Sequence, residues 1–109
     1  MKVADLLDRS RGVVAVSVRG GKTGRGLPLG PGLTAGTGAR LRSVVDDAPP
    51  AEGWYVVLHR PGRGPTAWER ECAARIWLVN EPPFPLTAPL LGVVIISDTG
   101  EHVLAGSAP

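Results

Sequence analysis

Residues 20–38, with the sequence GGKTGRGLPLGPGLTAGTG, constrain the fold more than any other part of the chain. This stretch holds eight glycines and two prolines in 19 residues. Glycine loses the most backbone entropy when it is fixed in a helix or strand, and proline removes a backbone hydrogen-bond donor. The density of both residues therefore predicts a long loop or arm over 20–38 rather than a regular element.

Strand patterns lie on both sides of this loop. The segment 12–20 alternates two sets of small and β-branched side chains, which is typical of a strand. The segment 39–47 also alternates, and it is predicted to be a strand as well. Aromatic and β-branched residues favour a third strand at 54–60. Two further apolar segments, 90–97 and 101–106, predict the last two strands.

Helix signals are weaker and shorter. Thr66 followed by Glu69 forms the pattern of a capping box, which predicts a helix over 67–75, and a strand is expected at 75–80. A second short helix of two turns is predicted at 3–10 from its apolar spacing.

The composition agrees with many short segments joined by turns. The chain has 109 residues, of which 15 are Gly and 11 are Pro, and this length fits one domain. We therefore expect a mostly-β fold over 1–109. The predicted architecture is a small single-domain β-barrel or sandwich, SH3-like or similar, with the Gly-rich loop or arm at 20–38 and one or two short helices.

Positive charge is concentrated in the first half of the chain. Residues 9–45 contain seven basic residues and no acidic one, whereas no Lys or Arg follows Arg75. Such a distribution favours an anionic partner, or head-to-tail contact between copies of the chain. The residues predicted to contact nucleic acid or another anion are Arg19, Lys22, Arg25, Arg40 and Arg42.

The Gly21-Lys22-Thr23 sequence is similar to the end of a phosphate-binding loop. The complete pattern requires a glycine five positions before Gly21, but Val16 stands there, and the Pro- and Gly-rich residues that follow cannot supply the required helix. A flexible basic loop that contacts phosphates non-specifically fits these residues better than nucleotide hydrolysis.

The sequence Asp98-Thr99-Gly100, after an apolar run, resembles the catalytic loop of retroviral-type aspartic proteases. That resemblance implies a dimer in which two Asp98 carboxylates share a proton. Only nine residues follow Gly100, however, and Glu101 stands where the family has a small residue. A hairpin turn, with a positive φ at Gly100, explains the same residues.

Aromatic residues are the candidates for contact with proteins. The chain has three tryptophans. Trp is rarely fully buried, so we expect that a small domain leaves part of this aromatic surface exposed. The residues predicted to contact a protein partner are Trp54, Trp68, Trp77 and Phe84. No metal site, cofactor or small-molecule substrate is expected, since Cys72 is the single cysteine and the two histidines are not clustered with other ligands.

Together these patterns predict a structural or assembly protein rather than an enzyme. Its expected partners are other copies of itself or a larger complex, such as a phage particle. The alternative is a basic SH3-like or OB-like module that binds nucleic acid through phosphates, and a dimeric protease is less favoured. The apolar run 84–96 is too short to cross a membrane. Asp5 and Asp8 do not suit a signal peptide, so a soluble cytoplasmic or virion protein is expected.

Overall fold

The computed structural model describes residues 12–108, and the helix predicted at 3–10 lies outside them. Six strands and two α-helices form within this range. In chain order they are β1 (Gly12–Arg19), β2 (Lys22–Thr23), β3 (Leu27–Gly30), α1 (Thr37–Asp47), β4 (Gly53–His59), α2 (Ala67–Trp77), β5 (Leu90–Ser97) and β6 (Gly100–Gly106).

The six described strands form one open mixed sheet with the order β2-β1-β4-β5-β6, and β3 also pairs with β1. Strands β4 and β5 are parallel, whereas the other neighbours are antiparallel. A parallel pair requires a crossover, and α2 supplies it. The mostly-β prediction is confirmed, but the sheet is not closed into a barrel, and nothing in it confirms an SH3-like arrangement.

Both helices contribute to a core on one face of the sheet. Strand alternation directs Trp54, Val56 and Leu58 of β4 to this face, where they pack with Leu41 of α1 and Ile76 of α2. A second buried cluster occupies the opposite face, and it consists of Val14, Val16, Val18, Tyr55, Val57, Val94 and Ile96. Each of these seven side chains is at most 9% exposed.

The strand predicted at 39–47 is wrong, because these residues belong to α1. Leu41 is fully buried, and Val44, Val45 and Ala48 pack against the same core. Their positions relative to Leu41 are +3, +4 and +7, which is one face of a helix. The alternation that suggested a strand is real in the sequence, but burial of this apolar face determined the structure.

The helix predicted at 67–75 is confirmed, whereas the strand expected at 75–80 is wrong. Thr66 caps α2 in a capping box with Glu69, and the helix continues to Trp77, followed by a 3₁₀ turn at Leu78–Asn80. Ile76 and Val79 are both buried at helical spacing, which keeps this segment from extending. Within residues 12–108, neither helix has the length and apolar character needed to cross a bilayer.

The loop predicted at 20–38 is only partly correct. This segment contains β2 and β3, and both strands pair with β1. Gly20 and Gly21 have φ angles of 58° and 74°, so they form the two-residue hairpin turn that requires positive φ at both positions. The glycines therefore shape tight turns along the edge of the sheet rather than a free arm.

Candidate anion-binding groove

The hairpin between β1 and β2 brings two positive charges together. Arg19 lies directly opposite Lys22 across the Gly20-Gly21 turn. Directly opposed residues have Cβ atoms about 5 Å apart, and like charges in such pairs destabilise a hairpin. Within residues 12–108, no acidic side chain forms an ion pair with either of them. The Glu52 carboxylate lies at the same turn, where its Oε1 accepts a 2.8 Å hydrogen bond from the backbone N–H of Gly20. Two cations beside one carboxylate still leave a local excess of positive charge at this end of the sheet.

These cations line a groove of about 470 Å³, which we name the basic groove. Arg19, Lys22 and Arg25 lie along one part of it. Strand alternation places Ser17 on the same face of β1 as Arg19, and Ser17 also lines the groove. The remaining lining is formed by the small or apolar residues Leu27, Ala48, Pro49, Pro50 and Trp54, and by Thr23 and Gly24.

The apolar wall of the groove depends on where α1 ends. The helix stops at Asp47, and Ala48 continues in an extended conformation into Pro49 and Pro50. Proline has no backbone N–H and a fixed φ, so these two residues present a rigid apolar surface. A smaller cavity of about 240 Å³ lies on this turn as well, and it is lined by Asp46 among others.

Trp54 lies beneath both cavities. It stands opposite Ser17 in the β1–β4 pair and is only 2% exposed, yet it contributes to the lining of each cavity. Its indole Nε1 is buried and has no hydrogen-bond partner among residues 12–108. Burial of an indole N–H without an acceptor costs free energy. Here this N–H belongs to a residue that lines both cavities.

The structure brings together three of the five residues predicted to contact an anion, namely Arg19, Lys22 and Arg25. The other two lie on α1, where their guanidinium groups donate to backbone carbonyls. Arg40 donates to Leu29 over 3.2 Å, and Arg42 donates to Val79 over 3.4 Å. Neither of these two arginines lines the basic groove.

The four residues predicted to contact a protein partner are dispersed. Trp54 is buried, and Trp77 is partly buried against the core. Trp68, in the first turn of α2, is 52% exposed, and Phe84, in the loop before β5, is 75% exposed. Only the last two therefore offer a large apolar surface to solvent.

Asp98 lies in a hairpin turn. Strands β5 and β6 pair antiparallel, with Ser97 opposite Gly100, so Asp98 and Thr99 form the turn and Gly100 has a φ of 112°. Asp98 is exposed, and its Oδ2 accepts a 2.8 Å hydrogen bond from the backbone N–H of Gly62. The hairpin predicted around the Asp-Thr-Gly sequence is confirmed. The Asp98 carboxylate links it to the loop that follows β4.

Two further reactive groups, the Cys72 thiol and the Glu69 carboxylate, are buried or engaged. Cys72 is fully buried in α2, and this burial raises the pKa of its thiol. The Glu69 carboxylate binds Arg60. Within residues 12–108, no three His, Cys, Asp or Glu side chains are grouped in a way that could hold a metal ion.

The apolar half of the groove was not predicted from the sequence. Pro49 and Pro50 were not among the predicted site residues, and Trp54 was predicted to contact a protein partner. Trp54 reaches the groove because β4 pairs with β1, and 33 residues separate these two strands in the sequence. The two adjacent prolines after a charged segment were the available signal for a rigid wall.

Comparisons with protein families, with curated proteins and with solved structures find no match to this chain. We therefore infer function from the residues of the basic groove, their charges and their contacts.

Proposed function

We propose that this domain binds nucleic acid through its phosphates, in the basic groove. The observation that carries this proposal is the opposition of Arg19 and Lys22 across a two-residue hairpin, without an ion-pair partner in residues 12–108. Arg25 adds a third positive charge to the same groove. A phosphate between these side chains offsets their mutual repulsion, because each forms a charge-assisted hydrogen bond to it.

The proposed role is binding rather than catalysis, and it does not depend on base sequence. Lys and Arg contacts to phosphates fix a strand in place without reading base identity. The backbone N–H of Gly24, which also lines the groove, already donates to the Ser17 carbonyl over 2.8 Å, so the phosphate contacts come from the side chains. Three phosphate contacts on a single strand predict a slope of about −2 for the logarithm of affinity against the logarithm of salt concentration.

Fluorescence anisotropy with a labelled mixed-sequence oligonucleotide tests this proposal. The variant Lys22→Ala combined with Arg25→Ala should weaken binding at low salt by about tenfold or more and reduce the salt slope by about one to two. Arg70→Ala is the matched control, since Arg70 is exposed on α2 outside the groove. Equal losses in the double variant and the control would contradict a specific role for the groove.

Self-association is the second candidate function, and exposed apolar side chains support it. Leu78, Phe84 and Trp68 are 60%, 75% and 52% exposed. Such residues are enriched where proteins contact one another. The segment 20–38 provides no free arm for this contact, because its strands β2 and β3 pair with β1.

Native mass spectrometry distinguishes the two candidates. A stable dimer or larger species that the Phe84→Ser variant reduces to monomer would support self-association. A monomer at all concentrations, combined with salt-sensitive oligonucleotide binding, would leave the nucleic-acid proposal as the better account.

A further inference from the structure

We infer that the basic groove accepts an unpaired nucleotide, with its phosphate at the cations and its base against the Pro49-Pro50 turn. This inference rests on the proposed function and adds to it a ligand class, namely single-stranded rather than duplex nucleic acid. Two features support this inference: the shape of the groove, and the division of its lining into a charged part and an apolar part.

The shape favours a single residue of a strand. The groove has a volume of about 470 Å³, which is within the range of small-molecule sites. A base in a duplex is stacked and paired, so it cannot enter such a cavity without being extruded. A base in a single strand is free to do so, and its flat apolar face can pack on the wall.

The lining also matches the two chemical parts of a nucleotide. Arg19, Lys22 and Arg25 are the charged side chains of the groove, whereas Leu27 and the two prolines are apolar. A duplex phosphate backbone would use the cations and leave the apolar wall in water. An unpaired nucleotide uses both.

The adjoining smaller cavity indicates the orientation in which the nucleotide binds. It shares Ala48, Pro49, Pro50 and Trp54 with the groove, but its charged side chain is Asp46 instead of a cation. A carboxylate repels a phosphate and accepts hydrogen bonds from the amino groups of bases. The phosphate is therefore expected at the hairpin and the base toward Asp46.

Trp54 provides an independent observation. Its indole Nε1 is buried without an acceptor in the described part of the chain, residues 12–108, and the residue lines both cavities. Bases carry carbonyl oxygens and ring nitrogens that accept such a bond. We expect the indole N–H to gain an acceptor when a small movement of the wall admits the base.

Competition against a labelled single strand tests the inference. The competitors are the same unlabelled strand, its blunt duplex and a nucleoside monophosphate. The single strand should compete at about tenfold lower concentration than the duplex, since stacking of one base is worth about this factor. The monophosphate should compete more weakly than the strand, because it offers one phosphate to three cations.

A variant that fills the apolar part provides the second readout. Ala48→Phe should reduce single-strand affinity toward that of the duplex and leave duplex affinity within about twofold. Circular dichroism and thermal unfolding establish that this variant is folded, and Leu27→Ala, which widens the groove, is used if it is not. Leu27→Ala should likewise weaken the single strand more than the duplex.

The outcomes separate the inference from the proposed function. Equal affinity for single strand and duplex would overturn the inference while leaving phosphate binding in place. A monophosphate that competes as well as the strand would overturn it in favour of a free nucleotide. Absence of binding to every competitor at low salt would overturn the proposed function itself.

Discussion

The Arg60 guanidinium and the Glu69 carboxylate form a two-pronged ion pair between the loop after β4 and the first turn of α2. Nε donates to Oε2 and Nη2 donates to Oε1, each over 2.6 Å. Glu69 also accepts a 2.8 Å bond from the backbone N–H of Thr66, which completes the capping box. The Glu69 carboxylate therefore caps the N-terminus of α2 and links this helix to the carboxyl end of β4.

Removal of this carboxylate should destabilise the domain strongly. Glu69→Ala leaves the Arg60 guanidinium, which is 22% exposed, without its partner and removes half of the capping box. We expect the free energy of unfolding in urea to fall by about 3 kcal/mol. Glu71→Ala is the control, because the Glu71–Arg75 pair is more than half exposed and should contribute under about 1 kcal/mol. Similar losses in both variants would contradict this account.

The same pair predicts acid sensitivity. The hydrogen bond from Arg60 is the largest cause that holds the pKa of Glu69 below its ordinary value of 4.5. A depressed pKa in the folded state adds stability above the unfolded pKa, and this stability is lost as pH falls through the folded pKa. The stability difference between the native protein and Glu69→Gln should be constant near neutral pH and should narrow below about pH 4.5. A difference that widens there would be inconsistent with this coupling.

Gly106 should not tolerate a side chain. Its φ is 75°, and a Cβ there would meet the backbone oxygen of Leu91 and would lie 2.7 Å from Cζ3 of Trp77. Gly106→Ala should lower the free energy of unfolding by about 3 kcal/mol, from backbone strain plus overpacking. Gly20→Ala has a similar φ of 58° but open space, so it should lose only about 1 kcal/mol. Equal effects would show that crowding at Gly106 is unimportant.

Asp98 should act as a tether rather than as a reactive group. Asp98→Ala removes the acceptor for the Gly62 N–H, so amide hydrogen exchange at Gly62 should accelerate, while global stability should fall by about 1 kcal/mol or less. Glu101→Ala, an exposed acidic neighbour, should leave exchange at Gly62 unchanged. Unaltered exchange at Gly62 in Asp98→Ala would mean that the hydrogen bond is not formed in solution.

Local patterns predicted the strands and the helix that carry strong signals. The β-branched runs at 54–60 and 90–97, and the capping box at Thr66, specify their elements within a few residues of sequence. The segment 39–47 did not, because Leu41 and Val45 fit both a strand face and a helix face. Packing against α2 and the sheet decides whether this segment forms a helix or a strand. A local sequence pattern contains no information about that packing.

The groove was predictable only in part for the same reason. Arg19, Lys22 and Arg25 are close in sequence, and the Gly20-Gly21 turn brings the first two together. Pro49 and Trp54 join them through the β1–β4 pairing and the end of α1. Charge was therefore visible in the sequence, whereas the apolar wall that gives the groove its shape was not.

A titration of ¹⁵N-labelled protein with a mixed-sequence single-stranded oligonucleotide, followed by ¹H–¹⁵N NMR at low salt, tests the central claim most directly. We predict that the largest shift changes occur at the backbone amides of Lys22 and Gly24 and at the indole Nε1–H of Trp54, and that they disappear at high salt. The Trp68 indole, which lies on α2, serves as the internal reference. Shift changes centred on Arg42 and Arg75, or no changes at low salt, would contradict the claim.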